Sequence, residues 1–393
     1  MFPLAILERG EGVRRKSEAR DMTTPESVTF GPPASDPDAL SGRLPDLRGM
    51  TRDALARLVA DLGEKPFRAK QLFSWIHRRG AVSFEEMTDL SKGLREKLSK
   101  VSRLALMRLD LTQVSLDGTR KFRFQTEDGH FIEAVYMPET DRRTLCVSTQ
   151  IGCPMGCAFC RTGTLGLTRS LMPGEILAQI YAVNRALGAE DGMDGRKPLT
   201  NLVFMGMGEP FLNFDNLLTA LALLQDDAGL NFSRRHITVS TSGIVPNIRR
   251  FGELTENKLA VSLNASCDGQ RSVLMPVNRR WPLSELMEAC RRFPLRQGRR
   301  ITFEYVMLSG VNDTLEDAAR VAALIRGIEA KVNLIPYNES PELPFRSVPQ
   351  EKAEAFRDFL LNKGILAVIR KNRGRDILAA CGQLAAKGEG KIK

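Results

Sequence analysis

The spacing of apolar residues predicts a helical region near the start of the chain. Between residues 46 and 106 they recur every three or four positions, as at Leu55, Leu58 and Leu62. This spacing is typical of helices that bury one face. We therefore predict a small N-terminal helical domain over residues 46–106.

A different pattern follows, and it predicts strands. Two runs, Thr119–Gln125 and Phe131–Tyr136, are separated by a turn signal at Asp128-Gly129. Residues 107–140 are therefore interpreted as a strand-rich connector.

From residue 141 onward, short apolar runs alternate with amphipathic stretches, as in repeated βα units. The predicted strands are Leu145–Thr149, Leu202–Met205, Ile237–Thr241, Leu259–Leu263, Ile301–Val306 and Val332–Ile335. Predicted helices between them include Gly174–Leu187, Asn216–Leu224, Leu283–Arg292 and Leu315–Ile328. The pattern predicts an α/β core with a parallel sheet, over residues 141–386, and a site at the carboxyl ends of its strands.

The two ends of the chain carry no such periodicity. Residues 1–45 contain Gly31-Pro32-Pro33 and are predicted to be a flexible leader, and Met22 is an alternative start. Residues 387–393 form a basic tail. The opening apolar run is too short for a signal peptide, and no run is long enough to span a membrane, so a cytoplasmic protein with no membrane contact is expected.

Charge adds a possible partner to this picture. Lysine and arginine outnumber aspartate and glutamate by 57 to 47, for a net charge of +10. A basic surface suits a polyanion such as RNA, and residues 46–106, with their basic faces, are the predicted RNA-binding domain. A solvated basic surface without a partner is the alternative, and an aromatic content of 6% gives no sign of a stacking platform for single strands.

The most specific chemical signal is the C-x3-C-x2-C spacing of Cys153, Cys157 and Cys160. Three thiolates on one tight loop can hold three irons of a cubane cluster and leave the fourth iron open to a substrate or cofactor. Buried structural cysteines, or a zinc site completed from elsewhere, are the alternatives. The seven cysteines are an odd number in a chain long enough to form a core without disulfides, which favours a reducing compartment.

This loop, including Phe159, resembles that of the radical S-adenosylmethionine (SAM) enzymes, whose core is a partial (β/α)6 barrel. Further segments resemble one family, the dual-specificity RNA adenine-C2 methyltransferases of the RlmN type, which act on 23S ribosomal RNA and transfer RNA. These segments are Arg68–Gln71 with Trp75-Ile76, Asp117–Lys121, Leu145–Cys153, and Arg375–Ile377 with Ala380–Leu384.

The resemblance implies a set of cofactors and partners. One [4Fe-4S] cluster would be bound by Cys153, Cys157 and Cys160, and two SAM molecules would be used per turnover. The RNA substrates would be 23S rRNA and tRNA, and an external flavodoxin-like reductant would supply one electron. We expect a monomer.

Residues at successive strand ends, most of them polar, are the implied SAM-binding residues. They are Gly208, Glu209, Ser240, Ser262, Leu263, Asn264 and Asn338. Glu209, in the run Met205–Pro210, would receive the amino group of SAM. Asn264 stands where the family has histidine as often as asparagine.

The resemblance also implies three catalytic residues. Cys381 would carry the methyl group, Cys146 would form a transient disulfide with Cys381, and Glu133 would accept the proton from C2. Without the resemblance, Glu133 would be interpreted as an exposed carboxylate on a strand surface.

Three other functions compete with this one. The sister family that methylates C8 of the same adenine shares the cluster and the cysteines, and the helical region with Trp75-Ile76 favours the C2 family over it. A non-catalytic RNA-binding protein with a structural metal is a second alternative. A hydrolase is disfavoured because the only histidines are His77, His130 and His236, and none lies near a nucleophile motif.

Overall fold

The structure is a computed structural model that describes residues 43–191 and 199–385, without the side chains of 189–191. Nearly all of the predicted leader and the whole of the predicted basic tail lie outside the described residues. Among the helices that are described, none is both long and apolar enough to cross a membrane.

Helices form the N-terminal region, as the apolar spacing predicts. They are α1 (Arg52–Asp61), α2 (Phe67–Phe73), which continues as a wider turn over Ser74–Arg78, and α3 (Lys92–Val101). Thr51 and Ser91 cap α1 and α3 by accepting hydrogen bonds from backbone amides three residues on. Leu55 and Leu98 are among the residues that bury the inner faces of these helices.

Antiparallel strands come next: β1 (Arg108–Val114), β2 (Arg120–Gln125), β3 (Phe131–Pro138) and β4 (Arg143–Cys146). The two predicted strands of the connector correspond to β2 and β3. Strand β1 was not predicted. Through the pairing of β3 with β4, these strands continue directly into the main sheet.

The core is a parallel sheet with helices between its strands, and it confirms the predicted radical SAM α/β fold. The parallel strands after β4 are β7 (Asn201–Phe204), β8 (Ile237–Thr241), β9 (Lys258–Ser262), β10 (Ile301–Met307), β11 (Ala330–Pro336) and β12 (Leu366–Ile369). Within the described residues the sheet has the order β1-β2-β3-β4-β7-β8-β9-β10-β11-β12. The six predicted core strands are present, and β12 adds a parallel strand that was not predicted.

The remaining elements surround this sheet. The helices are α4 (Arg161–Thr164), α5 (Pro173–Asp191), α6 (Phe214–Gln225), α7 (Val245–Leu254), α8 (Asp268–Leu274), α9 (Leu283–Arg291), α10 (Leu315–Leu324) and α11 (Gln350–Asn362). Strands β5 (Gln150–Cys153) and β6 (Gly166–Ser170) form a separate hairpin. The first predicted core strand therefore ends earlier than expected, at Cys146, and the chain from Gln150 to Cys153 pairs with β6 instead.

Candidate functional site

The three cysteines of the motif lie on a loop held between the β5–β6 hairpin and helix α4. Cys153 ends β5, and α4 begins directly after Cys160. Gly152 has a φ of +77°, and a Cβ atom there would lie 2.0 Å from the carbonyl oxygen of Gly166. Only glycine therefore allows the two strands to approach at this point.

The cysteine side chains line one cavity, named here the SAM cavity. The cavity is also lined by Glu209, Ser240 and Cys381. Burial raises the pKa of Cys153 to about 12 and raises the pKa values of Cys157 and Cys160, and the neighbouring thiols add to each of these shifts. Such thiols stay protonated unless a cation stabilises the thiolates, so the donor set fits an iron–sulfur cluster.

The run Met205–Pro210 follows β7 and forms another wall of the SAM cavity. Gly208 has a φ of +98°, and a Cβ atom there would lie 2.5 Å from that of Gln150. Glu209 is buried, and its carboxylate accepts hydrogen bonds from the backbone amides of Phe211, at 3.0 Å, and Ser242, at 2.7 Å. Burial raises the pKa of this carboxyl group although both hydrogen bonds oppose the shift.

The other predicted SAM ligands fall into two groups. Ser240, Ser262 and Asn264 line the SAM cavity, whereas Leu263 is buried behind it and Asn338 lines a neighbouring cavity. The side chain of Asn264 is already engaged, because its oxygen accepts a hydrogen bond of 2.8 Å from the amide of Val306.

Several buried polar atoms in these walls have no hydrogen-bond partner. They are Glu304 Oε2, Tyr337 OH and Asn338 Oδ1. Buried polar atoms are normally satisfied, so unpaired atoms that line a cavity indicate a polar ligand. The residues therefore fit a cofactor that carries amino, carboxylate and hydroxyl groups.

The neighbouring cavity, named here the cysteine cavity, brings together residues that are far apart in sequence. Cys146 and Cys381 both line it, and both are free thiols. Cys381 and Arg370 line the SAM cavity as well. Burial raises the pKa of Cys146 to about 12, whereas Cys381 is exposed.

Arg370, which the sequence analysis missed, lies between these groups. Its Nη1 is 3.9 Å from Cys381 Sγ. The nearby charges of Cys381, Glu304 and Cys146 raise the pKa of this guanidinium. A cation here stabilises a thiolate on either cysteine.

Arg271 is a second missed residue, and it organises the strand ends beneath the SAM cavity. It is fully buried, and it donates to the backbone carbonyls of Leu263 at 3.1 Å and Ser262 at 3.0 Å. A third hydrogen bond, of 2.5 Å, goes to the carbonyl of Ser242. One side chain thus ties β9 to the loop that follows β8.

Glu133 is not the exposed carboxylate that the sequence without its family resemblance indicates. It is 5% exposed, and its carboxylate lies 3.2 Å from Lys121 Nζ and accepts a 3.0 Å hydrogen bond from the amide of Ala385. Val135 and Met137, which alternate with Glu133 along the same face of β3, line the cysteine cavity. Glu133 thus lies next to that cavity and contacts the C-terminal segment.

Two family models match the chain. The model described as the ribosomal RNA large subunit methyltransferase N-terminal domain matches residues 45–104, and the radical SAM superfamily model matches residues 147–322. Both matches coincide with regions described above, namely the helical region and much of the parallel sheet with its cysteine loop.

Similar proteins and a solved structure agree with these matches. The dual-specificity RNA methyltransferase RlmN of Anaeromyxobacter dehalogenans (strain 2CP-C) is 59% identical over 351 residues, which cover 89% of this chain and 94% of the relative. RlmN 2 of Myxococcus xanthus (strain DK1622) is 57% identical over 354 residues, 90% of this chain and 94% of the relative. The crystal structure of a radical SAM methyltransferase from Sphaerobacter thermophilus has a TM-score of 0.82 and 46% identity, covering 87% of this chain and 100% of the other. The chain therefore belongs to the RlmN family of dual-specificity RNA methyltransferases, within the radical SAM superfamily.

Proposed function

We propose that this RNA methyltransferase methylates C2 of one adenine in the peptidyl transferase region of 23S rRNA and of the adenine 3′ to the anticodon in certain tRNAs. The observation that carries the proposal is the position of Cys381, which lines both the SAM cavity and the cysteine cavity that contains Cys146. A methyl carrier needs access to a methyl donor on one side and to the RNA base and a second thiol on the other.

Membership of the superfamily implies SAM and a [4Fe-4S] cluster as cofactors. We propose that Cys153, Cys157 and Cys160 are the protein ligands of the cluster and that two SAM molecules are used per turnover. When bound, the cluster supplies the electron that cleaves SAM to a 5′-deoxyadenosyl radical. Glu209, Ser240 and Ser262 would orient SAM beside it.

Cys381 would first act as a nucleophile. Its thiolate attacks the methyl group of one SAM, so that a sulfur–carbon bond forms on Cys381 and the sulfonium bond of SAM breaks. Arg370, 3.9 Å from the sulfur, stabilises the thiolate before attack. A second SAM, held by Glu209, Ser240 and Ser262, would supply the radical that takes a hydrogen atom from the methyl group on Cys381, and the methylene carbon would then add to C2 of the adenine.

Release would use Cys146 and Glu133. Glu133 would accept the proton from C2 as the adduct gives up its unpaired electron, which the oxidised cluster could take back. The Cys146 thiolate would then attack the sulfur of Cys381. The bond from that sulfur to the methylene carbon breaks, its electron pair stays on that carbon, which takes up a proton to become the methyl group, and Cys146 and Cys381 are left as a disulfide. Because the Glu133 carboxylate is occupied by Lys121 and the Ala385 amide, its role requires the C-terminal segment to shift when RNA binds.

The remaining partners follow from the same proposal. The enzyme would act as a monomer in the cytoplasm, on 23S rRNA and tRNA, with one electron delivered by an external flavodoxin-like reductant. Residues 46–106 would contribute to RNA binding.

The test of the reaction is anaerobic incubation of the reconstituted enzyme with SAM, a reductant and an unmodified 23S fragment, followed by nucleoside mass spectrometry. We expect 2-methyladenosine. A peak of 8-methyladenosine would assign the chain to the chemistry of the sister family. Cofactor cleavage without methylated adenosine would refute the assigned RNA target.

Variants of the two cysteines test the residue roles. Cys381→Ala is expected to form no methylated cysteine and no product, because the carrier sulfur is gone. Cys146→Ala is expected to accumulate a covalent protein–RNA adduct, visible as a shifted band on a denaturing gel. Cys267→Ala is the matched control, since Cys267 lines neither cavity. Free methylated RNA at normal yield from either variant would contradict the pairing.

A further inference from the structure

A ring of basic side chains lies at the amino ends of the parallel strands, opposite the SAM cavity. Its members are Arg142 before β4, Arg235 before β8, Lys258 at the start of β9, Arg299 before β10 and Lys331 near the start of β11. Because parallel strands all begin at one edge of a sheet, the topology brings these five residues together. They are named here the amino-edge ring.

Electrostatics support this grouping. The pKa of Lys258 is lowered, first by partial burial and then by the charges of Lys331, Arg299, Arg142 and Arg235. Four cations from four other strand starts therefore act on one ammonium group.

Within the described residues, carboxylates neutralise the ring only in part. Glu139 pairs with Arg142 at 2.8 Å, and Arg299 donates to the backbone carbonyl of Glu256. Among the residues that the structure describes, Arg235, Lys258 and Lys331 form no ion pair with a carboxylate, although the charge of Lys331 acts at longer range on the carboxyl group of Glu304. Like charges held together in this way cost stability unless an anion binds them.

The ring also borders a concave surface. A cavity of about 820 Å³ opens beside it, lined by Lys258 and Arg299 together with Arg234, Arg296 and Arg300. Three acidic residues, Asp226, Glu253 and Glu256, also line it, and Glu256 pairs with Arg234 and Arg296. Cations therefore outnumber carboxylates in this concave surface by five to three, an excess that suits a chain of phosphates.

A bridge of charged residues connects this edge with the catalytic side. Glu139 contacts Arg142 of the ring and also Arg373, at 3.7 Å. Arg373, with Lys371, lines the cysteine cavity beside Cys381. Cations thus extend from the cysteine cavity to the amino-edge ring.

We propose that the amino-edge ring is a second RNA-binding surface, which contacts backbone phosphates of the substrate RNA at a distance from the methylated base. The contacts carry no base specificity, because lysine and arginine on phosphates position an RNA without reading its sequence. These phosphate contacts raise the affinity for large folded RNA, whereas methylation takes place at the opposite edge of the sheet.

The test measures RNA binding as a function of salt for the full-length enzyme and a triple variant, Arg235→Ala/Lys258→Ala/Lys331→Ala. The probe is a full-length tRNA transcript, followed by fluorescence anisotropy. Each phosphate contact contributes ~0.7–0.9 to the slope of log affinity against log salt, so three lost contacts reduce the slope by about 2 and the affinity at 0.15 M salt by roughly 50-fold. Turnover at saturating RNA should not change.

The matched control removes the same charge elsewhere. Arg292, Arg326 and Lys363 are exposed and lie outside the ring, so their triple alanine variant should retain the wild-type slope. An unchanged slope in the ring variant, or an equal fall in both triple variants, would overturn the proposal.

A second measurement uses the wild-type enzyme and does not depend on the variants folding. Acetylation footprinting should show Lys258 and Lys331 protected when tRNA is bound, and unprotected with a short anticodon stem-loop that fills only the catalytic side. Equal acetylation with and without tRNA would refute the contact. Failure of C2 methylation would leave this result untouched, since binding is measured without SAM.

Discussion

Gly208 illustrates how a single backbone position governs the SAM cavity. Its φ of +98° is one that side chains rarely adopt, and its Cα faces Gln150 of the β5–β6 hairpin. Gln150 in turn accepts a 2.8 Å hydrogen bond from the amide of Glu209. A residue with a Cβ atom would therefore displace both the hairpin and the carboxylate.

We expect Gly208→Ala to weaken SAM binding by more than about tenfold and to lower the free energy of unfolding by about 1–3 kcal/mol, the usual cost of such backbone strain. Equilibrium dialysis and urea unfolding would measure the two effects. Gly63→Ala is the control, because Gly63 has a φ of +72° but nothing within 4 Å of its Cβ position. If both variants bind SAM normally, the steric argument is wrong.

The residues whose position along the SAM cavity could be expected from the sequence are those close to a strand end. Cys153, Glu209, Ser240 and Ser262 come within a short distance of a strand end, so the strand order alone brings them to one edge. Arg370 directly follows β12, a strand that was not predicted, whereas Arg271 lies inside α8 and Lys121 inside β2 and carry no such signal. Tertiary packing brings their hydrogen-bond partners close. Lys121, for example, donates to the carbonyl of Leu378, which is 257 residues away.

At the scale of elements, the segment 374–385 that carries Cys381 is held from several sides. The Asp376 carboxylate accepts hydrogen bonds from Ser115 Oγ at 2.6 Å and from the amide of Leu116 at 3.1 Å. Thr162, in α4, donates a 2.6 Å hydrogen bond to the carbonyl of Leu384. The β1–β2 turn and the helix after the cysteine loop thus fix the two ends of this segment.

Asp376→Ala should loosen the segment and slow methylation of Cys381 on the order of tenfold, because misplacement of a reacting atom by about 1 Å can cost more than that. Cleavage of SAM should continue. Hydrogen exchange of residues 374–385 and mass spectrometry of Cys381 would measure both effects. Asp358→Ala, on the exposed face of α11, is the control. If Asp376→Ala exchanges hydrogen faster over residues 374–385 but methylates Cys381 at the normal rate, the anchoring of this segment is not needed for methylation.

Two strands were missed for physical reasons that can be named. Strand β1 lies at the edge of the sheet, and most of its residues are exposed, so it lacks the alternation of a half-buried strand. Strand β12 has only four residues, of which Leu366 and Val368 are exposed. By contrast, buried residues alternate along β8, and β10 is buried over almost its whole length. Both strands were predicted.

At the scale of the whole molecule, the helical region is packed against the core through buried polar contacts. Arg48 is 1% exposed, donates a 2.9 Å hydrogen bond to the carbonyl of Ala81 and lies over the ring of Tyr181 in α5. The hydroxyl of Tyr181 lies 2.9 Å from His77 Nδ1. Burial lowers the pKa of His77 to about 3, so this contact keeps a neutral imidazole across the physiological range.

Gly174, in the first turn of α5, lies at the tightest point of this contact. A Cβ atom there would lie 1.8 Å from Asp46 Oδ2 and 3.2 Å from the amide of Gly49. Asp46 is committed to its position, because its other oxygen accepts hydrogen bonds from the amides of Arg48 and Ala105. The helical region can therefore approach α5 only where α5 has no side chain.

Gly174→Ala should separate the two regions, because neither backbone can yield without breaking the Asp46 hydrogen bonds. We expect a loss of a few kcal/mol in the free energy of unfolding, of the size seen when cores are overpacked, and cleavage by protease near residue 106. Gly188→Ala in the same helix has nothing within 4 Å and should stabilise the protein by about 0.5–1 kcal/mol, since alanine favours a helix over glycine. If Gly174→Ala lowers the free energy of unfolding and Gly188→Ala raises it, the docking of the helical region, and not helix propensity, decides the outcome. If both variants are stabilised, the helical region tolerates displacement from α5.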